Sequence, residues 1–102
     1  MKRLSVVLLA MASVARAADA PDPAAIFKAN CAMCHGTDGK GQTVMGKSLH
    51  LKDLGSAEVQ KQSDEAIENV VKNGKGKMPA YSSKLSEAEI DSLVKFIRTF
   101  KK

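Results

Sequence analysis

Cys31-Ala32-Met33-Cys34-His35 constrains this chain more than any other stretch of its 102 residues. Thiols three residues apart lie on one side of a helical turn, and a histidine directly after them can turn its imidazole under the same face. CxxCH at this spacing is the attachment signal of a c-type haem. Each thiol forms a thioether with one of the two vinyl groups, and the histidine becomes the proximal iron ligand.

Other chemistries use parts of this motif. A thioredoxin-like dithiol needs strands in a βαβ pattern, and the sequence has no strand alternation. A closed zinc site from Cys31, Cys34, His35 and His50 has the ligand count, but adjacent cysteine and histidine converge badly on one tetrahedral ion. Two cysteines in an exported chain would otherwise suggest a disulfide; the adjoining histidine overrules that reading.

Export itself is expected from the first residues. Lys2 and Arg3 form a basic start, Leu4 to Val14 an apolar run, and Ala15-Arg16-Ala17 a small-x-small cleavage site. The run is shorter than the roughly 20 apolar residues that cross a bilayer. Residues 1–17 therefore read as a signal peptide, and 18–102 as one periplasmic domain. Cleavage after Ala17 removes three basic residues and leaves 13 basic against 11 acidic, a formal net charge of +2. A domain this short buries only a small core. With three Phe, one Tyr and no Trp, a large apolar cofactor at the centre would solve that problem.

Asp22 and Pro23 read as the N-cap and first position of a helix running towards Cys31. Residues 36–63 carry five glycines and no long apolar period, so most of that stretch is expected as loop, with a helical turn near Ser56 to Lys61. Ser63 followed by Asp64 and Glu65 starts a second helix that Gly74 can end. Ser86 with Glu89 makes a capping box. The helix behind it carries Ile90, Leu93, Val94, Ile97 and Phe100 on one inward stripe. The expected fold is all-α.

A sixth ligand to the iron is best sought in the Gly74–Pro79 loop, where Met78 stands before a proline that fixes the local backbone. Met33 and Met45 read as packing residues. His50 is a weaker distal candidate or an exposed loop residue. Lys75 and Lys77, with Lys40, Lys47 and Lys84, would form a positive rim that steers an acidic partner or simply a solvated surface.

On Phe27 to His35 (FKANCAMCH), Met78 to Tyr81 (MPAY) and Lys84 to Ile97 (KLSEAEIDSLVKFI) the chain resembles the class I cytochromes c, and more narrowly the small bacterial and photosynthetic mono-haem members. The resemblance implies a few helices wrapped around one covalent haem c and its iron. Cys31 and Cys34 would be the thioether residues, with His35 and Met78 as axial ligands. The first helix would cross the last, with Phe27 against the stripe that contains Leu93 and Ile97. Family members often place a proline whose carbonyl receives the proximal imidazole N–H; here Thr43-Val44-Met45 stands near that place. The implied activity is one-electron transfer by a monomer that is not an enzyme. Its partners would be redox proteins such as an oxidase, a reductase or a photosynthetic centre, with no nucleic acid and no membrane contact except through a membrane-bound partner. The alternative is a ligand-binding or peroxidase-like haem protein with a labile distal methionine.

Overall fold

The computed structural model describes residues 21–102; the signal-peptide expectation for residues 1–17 lies outside them. The described residues form six helices and no strand: α1 (Pro23–Asn30), α2 (Ala32–His35), α3 (Val44–Ser48), α4 (Ala57–Gln60), α5 (Asp64–Asn73) and α6 (Glu87–Arg98). The all-α expectation is met. Helix α3 is the addition, a short turn inside a stretch expected as loop. Thr43 starts it by accepting a hydrogen bond from the Gly46 N–H at 2.8 Å.

The helix starts follow local chemistry. Asp22 accepts from the Ala25 N–H at 3.3 Å, and Ser63 from the Ala66 N–H at 3.0 Å. At α6 both bonds of the capping box form: Glu89 N–H to Ser86 Oγ at 3.1 Å and Ser86 N–H to Glu89 Oε1 at 2.9 Å.

Helix α6 is the central element. Its apolar stripe is wide enough to serve two neighbours. On one side Phe96 and Phe100 form a triangle with Phe27 of α1, with ring centroids 5.2 to 5.4 Å apart and tilted or edge-on planes, the geometry aromatic quadrupoles favour. Leu93 shares that core with Phe27, Val71, Tyr81 and Ile90. On the adjacent side Val94 and Ile97 pack with Ile67 of α5. Phe27 meets the stripe of α6 as expected, sharing a core with Leu93 and ring contacts with Phe96 and Phe100. Leu93, Phe96 and Phe100 recur at three and four residues and face α1, whereas Val94, about 100° round the helix from Leu93, and Ile97 pack with Ile67 of α5.

Polar groups lock this arrangement from outside the core. Gln60 donates from Nε2 to the carbonyls of Leu54 at 2.7 Å and Ile97 at 3.0 Å. Arg98 donates to the Gln60 carbonyl at 2.8 Å, the Gln62 carbonyl at 2.6 Å and Asp64 Oδ1 at 2.9 Å. One guanidinium thus satisfies carbonyls behind α4, meets an acid in the first turn of α5 and ties both to the end of α6.

Gly74 ends α5 at φ +76°, and a Cβ there would stand 2.6 Å from the Met78 carbonyl oxygen. The chain then folds back on itself: Lys75 N–H donates to the Met78 carbonyl at 3.1 Å and Met78 N–H to the Lys75 carbonyl at 2.9 Å. Only glycine meets both the left-handed backbone and the close approach.

Arg98→Ala is expected to lower stability by about 1–3 kcal/mol, the scale for charge-assisted hydrogen bonds on a partly exposed group, with Arg98→Lys recovering less than half because a point charge cannot serve three acceptors. Urea unfolding midpoints at constant m-value check this. Gly74→Ala is expected to cost about 1 kcal/mol or more and to perturb the amide resonances of residues 75–80 before those of α6, as a heteronuclear NMR spectrum would show.

Candidate functional site

The CxxCH stretch continues α1 into a further turn. Cys31 N–H donates to the Phe27 carbonyl at 2.8 Å and His35 N–H to the Cys31 carbonyl at 3.0 Å. Gly36 then turns the chain away at φ +80°. Cys31, Cys34 and His35 are half-buried, whereas Met33 is 79% exposed. The expectation that Met33 fills the core is overturned: between two half-buried cysteines it points outward. Met45 is 48% exposed as well, and Val44 beside it 90%, because α3 packs through Gly46 and presents its larger side chains to solvent.

That packing braces the motif from behind. Thr43 Oγ1 donates to the Cys34 carbonyl. A Cβ on Gly46 would stand 2.6 Å from the Cys34 carbonyl oxygen, so α3 rests directly on the backbone of the attachment turn. The Thr43-Val44-Met45 segment therefore reaches the motif through a hydroxyl. No carbonyl receives the His35 ring N–H: Nδ1 is buried and has no hydrogen-bond partner.

An apolar cleft of about 310 Å3 opens beside the turn, within the size range of small-molecule and cofactor sites. Cys31 and His35 line it from one segment and Met78 from another, with Phe27, Val71 and Leu93 supplying core surface. Cys34 lies outside the lining. His50, expected as a loop residue, is exposed with φ +55° and also borders the cleft, as do Lys52, Gln62 and Lys75. Leu51 and Leu54 line it too. They were the residues missed in the sequence. Their signal was present as isolated leucines in a glycine-rich stretch, without the period that marks a helix.

Burial sets the protonation of these groups. It pushes the Cys31 thiol up to about 11, with the neighbouring Cys34 charge adding to the rise, so the thiol is neutral. Burial also holds His35 below its ordinary imidazole range, and a neutral ring keeps a lone pair free for a metal. Tyr81 is raised, chiefly by burial and then by the two cysteines, and stays a phenol able to donate. Among the described residues no group of three or more His, Cys, Asp or Glu could hold a metal ion, so the closed zinc reading has no geometry to stand on.

The cleft passes the test for a covalent haem on its own chemistry. It is apolar, and it has a neutral thiol and a neutral imidazole on one edge, with a thioether from a second segment lining the same space.

Comparison with known proteins agrees. The family model described as cytochrome c oxidase, cbb3-type, subunit III matches residues 18–97. Cytochrome c6 of Synechococcus sp. (strain ATCC 27167 / PCC 6312) is 39% identical over 87 residues, covering 85% of this chain and 75% of the relative. Cytochrome c6 of Microcystis aeruginosa is 40% identical over 76 residues, covering 74% and 90%. The solved structure of the KustC0563 c-type cytochrome superposes with a TM-score of 0.74 at 35% identity, covering 79% of this chain and 99% of that one. A family match over most of the chain, on a helical fold whose CxxCH turn opens onto an apolar cleft, makes this chain a member of the class I c-type cytochromes, an electron carrier with one covalently bound haem c and not an enzyme.

Proposed function

We propose that the chain is an exported one-electron carrier of the periplasm, cleaved after Ala17, whose haem is joined to Cys31 and Cys34 and whose iron is ligated by His35 and Met78. The observation that carries this reading is that His35 and Met78 line one apolar cleft although they come from segments far apart in the chain. The bound haem supplies an iron that alternates between ferrous and ferric states, taking or giving one electron at a time.

The residues of this chain do the rest. Phe27, Val71 and Leu93 keep water from the cleft wall, which limits the polar reorganisation that a change of charge would otherwise demand. The buried, neutral His35 is ready to ligate without first losing a proton. Met78 sits in a hairpin pinned by two backbone hydrogen bonds and by Gly74, so its thioether sulfur can be retained through both oxidation states. With His35 and Met78 both holding the iron, no open site would be left for a substrate, in keeping with a carrier.

The exported holoprotein should show a reversible, low-spin one-electron couple at positive potential, with the ferric methionine–iron charge-transfer band, in a spectroelectrochemical titration. Met78→Ala should abolish that band and lower the potential; an unchanged spectrum removes Met78 from the iron, and His50, which borders the same cleft, becomes the distal ligand to test.

The donor and acceptor are redox proteins, such as an oxidase, a reductase or a photosynthetic centre, met by a monomeric carrier. Lys75 borders the cleft, and Lys75 and Lys77 are both exposed beside Met78, which supports a positive rim directed at an acidic partner surface. Electron-transfer rates with such a partner should fall as ionic strength rises, and Lys75→Gln/Lys77→Gln should flatten that dependence; a salt-independent rate reduces these lysines to surface charge.

A further inference from the structure

The two segments proposed to ligate the iron belong to separate parts of the fold. Residues 23–35 carry Cys31, Cys34 and His35, and residues 74–85 carry Met78. Among the described residues a single hydrogen bond joins these segments: Tyr81 Oη donates to the Asn30 carbonyl at 2.9 Å. Its ends are well placed. Asn30 immediately precedes Cys31, and its own side chain is fixed by a bond from Nδ2 to the Ile26 carbonyl at 2.9 Å. Tyr81 lies three residues beyond Met78 and is 8% exposed, packed with Phe27, Ile90 and Leu93.

The backbone of Tyr81 is held as firmly as its ring. Its N–H donates to the Val71 carbonyl at 3.0 Å, and its own carbonyl accepts from Lys84 at 3.0 Å and Leu85 at 2.9 Å. Between this anchor and Gly74 the Met78 hairpin has no other side-chain hydrogen bond, and Lys75, Gly76 and Lys77 are exposed. The hairpin is therefore a light element hung between two fixed points, one of which is clasped to the carbonyl that precedes the attachment turn.

We propose that Tyr81 is a positioning residue for the sixth ligand, its phenol clasping the Met78 hairpin to the carbonyl beside Cys31 so that release of Met78 must break this bond. This deepens the reading of Met78 as an iron ligand and rests on it. Tyr81 touches neither iron nor electron partner in this role; it sets how often the hairpin opens.

The test is imidazole binding to the ferric holoprotein, followed through the haem bands, in parent, Tyr81→Phe, Met78→Ala and the double variant. Imidazole takes the sixth position only when Met78 has left it, so apparent affinity scales with the open fraction. Phenylalanine keeps the buried ring and removes only the donor. Tyr81→Phe should tighten imidazole binding roughly 2- to 12-fold, the range for the loss of one intramolecular hydrogen bond, with little change on the Met78→Ala background, where there is no ligand left to retain.

A lowered urea midpoint with unchanged imidazole affinity would make the bond merely structural and overturn the proposal. So would no change in either quantity, or an equal tightening with and without Met78, which would mean that Tyr81 acts on the cleft itself. Failure of the underlying reading has a separate signature: the parent would bind imidazole as tightly as Met78→Ala, because Met78 would not be occupying the position, and the inference would fall with it.

Discussion

An apolar cleft that reaches into the core is the constraint to which the other elements answer. Phe27, Val71 and Leu93 belong both to the buried cluster and to the wall of the cleft, so the small core of this chain is one face of its binding site. Apolar surface left in water on this scale is unfavourable. A covalent haem removes that exposure, and thioether attachment makes the solution permanent where a cofactor held by contacts alone would equilibrate with solvent. Stability and redox function thus draw on the same residues, and a substitution in the wall is felt by both.

The scaffold that keeps this wall in place is centred on α6. Its two-sided stripe takes up α1 through an aromatic triangle and α5 through Ile67, and Arg98 and Gln60 tie α4 and the turn after it to the end of the same helix through backbone carbonyls. Side-chain to backbone bonds of this kind resist sliding of one helix along another, which apolar packing alone permits. The attachment turn is braced separately, by α3 lying on the Cys34 carbonyl. Rigidity is therefore concentrated behind the CxxCH turn, and the Met78 side is fixed only at its ends.

The elements legible in the sequence were those whose signals are local. Asp22-Pro23, Ser63 and the Ser86/Glu89 pair mark helix starts by their own hydrogen bonds, and each does so in the structure. The five-residue motif gave the chemistry and the cleft edge with it. What could not be read depends on tertiary contact. Helix α3 exists because Gly46 allows a close approach to the Cys34 carbonyl, and no periodicity in so short a segment announces that. The inward stripe of α6 is legible, but its division between two neighbours is decided by where α1 and α5 lie. Met33 reads as a core residue by composition and is turned to solvent by the geometry of the cysteines on either side of it.

Helices α1 and α6 are neighbours in space and far apart in sequence, with Phe27 against Phe96 and Phe100. Contacts of such separation form slowly, since the intervening chain must first be gathered in. In the exported chain proposed above, crossing a membrane N-terminus first, Cys31 and His35 would arrive while Phe96 is still to come. The attachment motif would then be an accessible linear peptide and only later a wall of the finished cleft. Attachment of the prosthetic group would precede closure, and the final helix would be the latch that shuts over an already anchored cargo.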